Sequence, residues 1–187
     1  MAPDKSTPRS TPLVQILAAA HFAARVHAEQ TRKGAAAEPY INHLIEVAEL
    51  VALSGEESDV NLIVACFLHD VVEDTPVTQD EIRELFNEDV ASLVMEVTDD
   101  KTLPKQKRKA LQIQTAPHKS VRAQTLKLAD KIANLRAILL SPPPDWTSER
   151  KREYFDWANA VVSGFTEPNQ YLLNEFQKTY ARIVEIT

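Results

Sequence analysis

The segment His69-Asp70-Val71-Val72-Glu73-Asp74 sets three acids and a histidine directly after seven apolar residues, 62–68. On a helix, residues four apart share a face, so His69 stacks over Glu73 and Asp70 over Asp74. Taken alone, two such polar stripes fit a solvated helix end as well as they fit a site. Two further residues shift the balance. His43 lies early on the preceding helical stretch, within Tyr40-Ile41-Asn42-His43, and Asp130 interrupts the apolar face of Leu126-Lys127-Leu128-Ala129-Asp130-Lys131. A buried carboxylate is costly to desolvate unless it is paired or coordinated. His43, His69, Asp70 and Asp130 together offer two imidazoles and two carboxylates, a mixed nitrogen and oxygen set for one divalent ion with positions left for water. Such a set suits Mn²⁺, Fe²⁺ or Zn²⁺ better than Ca²⁺, which takes oxygens. The chemistry within reach is acidification of water and polarisation of a phosphoryl oxygen. Asn134, one turn beyond Asp130 on the same helix face, can bring an amide beside the ion.

Helices must position these groups. Hydrophobic spacing, caps and breakers predict helices near residues 12–30, 40–54, 58–75, 78–86, 88–97, 104–115, 120–140, 148–163 and 167–184. Thr78 with Glu81 makes a capping-box pattern, and Gly55, Gly164 and Ser141-Pro142-Pro143-Pro144 act as stops. No alternating strand pattern and no internal repeat emerges. The expected architecture is all-α, a bundle of about eight or nine helices, with residues 1–10 a flexible tail and 11–187 one domain.

Composition narrows the function classes. The chain has 187 residues, 26% of them charged, with a net charge of −6 and only three glycines. No basic stretch suits a nucleic-acid binder, although a nucleotide substrate needs only a local basic pocket. Cys66 is the sole cysteine, inside the apolar run, and reads as a buried hydrophobe. That run is too short to cross a bilayer. Lys5 and Arg9 before residues 13–20 loosely imitate a secretory signal, but the pattern continues unbroken into a polar-faced helix. A cytoplasmic protein without membrane or nucleic-acid partners is expected.

The order His, then His-Asp, then a distant Asp resembles the HD-domain metal phosphohydrolases. The likeness tightens with Arg32-Lys33, Tyr40-Ile41-Asn42-His43, Leu68-His69-Asp70-Val71-Val72-Glu73-Asp74-Thr75 and residues 97–105, 127–136, 146–150 and 153–158. These ordered motifs, over residues 22–163, resemble the hydrolase half of RelA/SpoT enzymes and their stand-alone relatives, the small alarmone hydrolases. That resemblance implies an HD-domain bundle that hydrolyses the 3′-pyrophosphate of ppGpp and pppGpp, yielding GDP or GTP and pyrophosphate with Mn²⁺. By position, His43, His69, Asp70 and Asp130 match the metal ligands, and Glu73 and Asp74 match the catalytic pair, with the base between them open. Arg32 and Lys33 match residues flanking the guanine and the 5′ side, and Lys105 and Arg150 match cationic positions that hold phosphates. No synthetase segment follows, so degradation without synthesis is expected. Leu44 stands where the family pattern has proline, which could shift the first turn of the His43 helix. Another nucleotide phosphohydrolase activity, such as removal of the NADPH 2′-phosphate, would use the same site. A degenerate binding module would lack a ligand, Glu73 or Asp74, and all are present. His21, His27 and His118 are not expected as ligands, and Trp146, Tyr154, Phe155 and Trp157 read as packing around a helix start.

Overall fold

A computed structural model describes residues 11–186; the tail expected at 1–10 lies outside the described residues. Ten α-helical segments follow: α1 (Pro12–Val26), α2 (Ile41–Val51), α3 (Val60–Leu68), α4 (Val71–Asp74), α5 (Gln79–Leu85), α6 (Glu88–Val97), α7 (Lys105–Thr115), α8 (Val121–Leu140), α9 (Ser148–Val162) and α10 (Gln170–Ala181). Counting the single turn α4 with α3 gives nine. Among the described residues, extended pairing is limited to an isolated bridge between Thr31 and Pro39. No helix among them is long and apolar enough to cross a membrane.

Caps set most boundaries. Asp59, Asn87 and Ser120 accept the first free amides of α3, α6 and α8, and Thr78 with Glu81 forms the full capping box of α5. Thr147 rather than Ser148 caps α9. The last helix starts at Gln170 instead of 167, because Asn169 caps it and the Glu167 amide is taken by Gln124 Oε1 at 3.0 Å. Helix α2 unwinds into a π-helical turn, Ala52–Glu56, where Gly55 adopts φ 94°, a left-handed conformation that glycine tolerates. The leucine after His43 is harmless: Leu44 is fully buried, and α2 still starts at Ile41.

Helix α8 is central, packing against α2, α3, α6, α9 and α10. Residues 123–133 are buried without interruption. Leu126, Leu128, Ile132 and Leu135 are fully covered, each contributing about 1.5–3 kcal/mol of transfer free energy. The same stretch buries Lys127, Asp130 and Lys131, so the core surrounds charges that need partners.

The expected continuous helix over residues 58–75 is corrected. It stops at Leu68 and restarts at Val71, with Asp70 at φ −100°, ψ −4° between them. His69 Nδ1 bonds to the Cys66 carbonyl at 2.8 Å, the acceptor that the Asp70 amide would take in an unbroken helix. The ladder is interrupted there, although the Asp74 amide still reaches the Asp70 carbonyl at 2.8 Å, and His69 and Asp70 turn toward one point.

Candidate metal centre and active site

Three packed helices meet where the chain carries its polar residues. His43 stands on the first turn of α2, His69 at the end of α3 and Asp130 midway along α8, each over 90% buried. One ligand atom from each lies within 4.8 Å of those of the others. His43 Nε2 is 3.4 Å from Asp130 Oδ1, and His69 Nε2 is 3.9 Å from the same oxygen. Asp70 falls outside that trio but presents Oδ2 at 3.2 Å from His69 Nε2 and 3.7 Å from His43 Nε2.

A carbonyl only accepts, so His69 Nδ1 must carry the hydrogen it gives to Cys66. Nε2 is then a lone pair facing two carboxylates, buried and without a hydrogen-bond partner. That arrangement demands a cation. A proton can serve: burial pulls the imidazolium down, but Asp70 and then Asp130 outweigh it, and the His69 pKa is pushed up to about 9. A divalent ion serves better, because it satisfies both imidazoles and both carboxylates at once. The donor set fits the ion inferred from sequence.

The carboxylates are held from outside. Asn134 Nδ2 donates to Asp130 Oδ1 at 2.6 Å and Lys131 Nζ to Oδ2 at 3.1 Å. Burial disfavours the Asp130 carboxylate, yet Lys131 and His43 hold its pKa well below the ordinary carboxylate range. Tyr40 donates its hydroxyl to Asp70 Oδ2 at 2.6 Å. Glu73 accepts the Asp99 amide at 3.1 Å, has Arg108 at 3.6 Å, and is pushed upward in pKa chiefly by burial. Asp74 is paired with Lys101. Both members of the expected catalytic pair are thus tied to residues 99–101.

A cavity of about 270 Å³ opens beside this cluster, lined by Arg32, Lys33, Tyr40, His43, Lys105, Asn134, Trp146 and Tyr154 among others. Of the expected ligands, only His43 reaches its wall. Arg150 is exposed and lies 4.6 Å from the ring of the wall residue Trp146 and 3.4 Å from Asp145. Lys105 is lowered in pKa by partial burial first, then by Arg150, Lys33 and Arg108. Arg32 is nearly buried and already engaged: Nη2 donates to Asn134 Oδ1 at 3.1 Å, and Nη1 lies 3.7 Å from Glu46.

Sequence reasoning missed several of these residues. Trp146, Tyr154, Phe155 and Trp157 pack around the start of α9 as expected, with Phe155 fully buried, but Trp146 and Tyr154 also line the cavity. Trp157 lies between Lys109 and Lys131, at 4.6 and 4.5 Å. Lys131 carried no signal, because neighbours in sequence do not share a helix face. Tyr40 was visible inside the His43 motif but not its bond to Asp70. His21 and His118 are exposed, and His27 is buried against Tyr40 with Nδ1 2.7 Å from Gln30 Oε1.

The HD domain family model matches residues 19–156, which hold every residue of this site. The guanosine-3′,5′-bis(diphosphate) 3′-pyrophosphohydrolase MESH1 of Xenopus tropicalis is 48% identical over 157 residues, 84% of this chain and 88% of its own. MESH1 of Homo sapiens is 48% identical over 158 residues, with the same coverage. A solved structure described as a metazoan orthologue of SpoT that hydrolyses ppGpp superposes with a TM-score of 0.86 at 40% identity, over 90% of this chain and 94% of its own. The chain belongs to the HD-domain family, in the group of small alarmone hydrolases that includes MESH1.

Proposed function

We propose that this protein hydrolyses the 3′-pyrophosphate of ppGpp and pppGpp, giving GDP or GTP and pyrophosphate, with one Mn²⁺ held by His43, His69, Asp70 and Asp130. The observation that carries the reading is the cleft's polarity. Its inner end has a lone pair and two carboxylates that call for a cation, and the cavity beside it carries Lys33 and Lys105 on its wall, with Arg150 near Trp146 of the same wall, a gathering of positive charge that suits a polyanion.

When bound, the ion supplies a Lewis acid for a phosphoryl oxygen and acidifies water. The chain's own groups do the rest. Water attacks the phosphorus nearest the ribose 3′ oxygen, the bond between that oxygen and phosphorus breaks, and pyrophosphate departs. Glu73 takes the water's proton; burial raises its pKa, which makes it a stronger base than an exposed glutamate. Asp74, paired with Lys101, orients the water. Lys33, Lys105 and Arg150 bind phosphates, while Arg32 and Asn134 face the nucleoside. Tyr154, its hydroxyl pushed up to about 12 mainly by burial, stays a neutral donor in the wall. A buried free cysteine suits a reducing compartment, and the cytoplasm is the location we assign.

The test is direct. Purified protein with ppGpp and Mn²⁺ should give GDP and pyrophosphate by chromatography, EDTA should stop the reaction, and Mn²⁺ should restore it. Turnover that survives EDTA and exhaustive dialysis would refute the metal-dependent reading.

A further inference from the structure

The segment between α1 and α2 does two things at once. Its ends are clamped by paired backbone bonds, Arg32 N–H to the Glu38 carbonyl at 2.8 Å and Tyr40 N–H to the Gln30 carbonyl at 2.9 Å. Its tip is seated on the end of α8: the Ala36 amide donates to Ser141 Oγ at 2.9 Å and the Ala35 amide to the Pro142 carbonyl at 3.3 Å. Gly34 makes that approach possible, since a Cβ there would collide with the Ser141 carbonyl oxygen. Arg32, Lys33 and Gly34 from this segment line the cavity.

The same segment reaches past the cavity to three acidic positions. Tyr40 gives its hydroxyl proton to Asp70 Oδ2 at 2.6 Å. Arg32 Nη2 donates to Asn134 Oδ1 at 3.1 Å, and Asn134 Nδ2 donates to Asp130 Oδ1 at 2.6 Å. The orientation of that amide is fixed by chemistry, because a guanidinium only donates and a carboxylate only accepts. Gln30 Nε2 donates to the Asp74 carbonyl at 3.0 Å. A carboxylate that faces an imidazole in a buried site can rotate away from it unless an outside donor fixes it. Here the donor to Asp70 comes from this loop directly, and of the two donors to Asp130, Lys131 stands on α8 while Asn134 is itself held by Arg32 of the loop.

We infer that the α1–α2 segment is the positioning element of the metal centre, with Tyr40 and Arg32 the positioning residues that aim Asp70 and Asp130 at the ion. The inference rests on the metal-site reading above. It also gives Arg32 a task beyond holding substrate, and it makes ion affinity sensitive to how the loop is seated.

The test reads Mn²⁺ affinity of the full chain without substrate, from the loss of the free-ion paramagnetic resonance signal on titration. Tyr40→Phe removes one hydroxyl, and Arg32→Lys keeps the charge but loses the fork. Each should weaken Mn²⁺ binding by ~10-fold or more, the scale for partners that orient a ligand. The melting temperature of metal-free Tyr40→Phe should match wild type, which separates aim from general destabilisation. Gly34→Ala, which touches no acid, should weaken binding by lifting the tip from Ser141. Lys33→Ala, on the same loop, should leave Mn²⁺ affinity unchanged. Wild-type affinity in both Tyr40→Phe and Arg32→Lys, with binding lost in Asp130→Asn, would overturn the inference and leave the metal site standing. Equal weakening in Lys33→Ala would also overturn it, by reducing the effect to loop charge. Wild-type binding in Asp130→Asn would bring down the metal-site reading itself, and the inference with it.

Discussion

At the inner end of the cleft, His43, His69 and Asp130 are buried, and Asp130 has both oxygens held by other side chains. At the mouth, Lys33, Lys105 and Arg150 stand in solvent, and Arg150 meets an exposed aspartate and an indole. The contrast separates two physical tasks. A site that must hold a small, hard charge in fixed geometry needs buried ligands with locked rotamers, because a misplaced ligand loses the ion. A surface that gathers a flexible polyphosphate needs only charge density, and solvated lysines supply it without fixed geometry. Substitutions at the two ends should therefore fail differently.

The inner end gives the largest effects. Asp130→Asn keeps shape but makes a poor ligand, so metal content and turnover should fall together, by more than the ~10²-fold that loss of an outer partner costs. Elemental analysis alongside rate measurement checks this, and full activity with bound metal would remove Asp130 from the ligand set. Next comes Glu73→Gln, which should keep its metal and lose ~10²–10⁴-fold in kcat, the span of a general base. Wild-type kcat in that variant would make Glu73 a mere anchor for the Asp99 amide.

The mouth should respond more gently. Lys105→Ala and Arg150→Ala should each raise KM by roughly 2–5-fold, the worth of an exposed charge pair, and leave kcat near wild type. Their effect should shrink as salt rises, since exposed charges are screened. A kcat loss as large as that of Glu73→Gln would erase the distinction between the two ends.

The smallest effect is on stability. His69 has an ordinary pKa of 6.5 and is held up to about 9 in the fold without metal. A raised histidine contributes stability that is full below the ordinary value and is lost as pH rises through the raised one. The metal-free protein should therefore lose a few degrees of melting temperature between pH 6.5 and 9. Mn²⁺ should suppress that loss, because the ion replaces the proton, and calorimetry should detect proton release on binding. A flat profile for the metal-free protein would show that Nε2 of His69 does not face the carboxylates as described.

Much of the fold was legible because it is written in local signals. Thr78 with Glu81, Asn87 and Ser120 mark helix starts through hydrogen bonds within four residues and Pro104 through its fixed φ, and those starts fall within a residue of where the pattern puts them. The His69-Asp70 break was not legible, since it depends on a side chain taking a carbonyl that periodicity assigns to an amide. The site divides in the same way. His43, His69, Asp70 and Asp130 stand out as polar residues in apolar runs, and the fold brings them together. The residues that hold them, Tyr40 and Lys131, act across 30 positions or from an adjacent one, distances at which helical spacing carries no message. The packing of Trp146 and Tyr154 was legible, but not their place on the cavity wall, because an aromatic that packs and an aromatic that lines a cavity look alike in sequence.

The central claim is that the buried end performs the chemistry and the basic mouth chooses a guanosine polyphosphate. NADPH tests that choice, since its 2′-phosphate could reach the same metal while offering the mouth a different charge pattern. With Mn²⁺ saturating and both substrates assayed side by side, kcat/KM for ppGpp should exceed that for NADPH. Glu73→Gln should depress both rates, whereas Lys105→Ala should narrow the gap between them. A kcat/KM for NADPH above that for ppGpp would contradict the substrate assignment while leaving the metal centre intact.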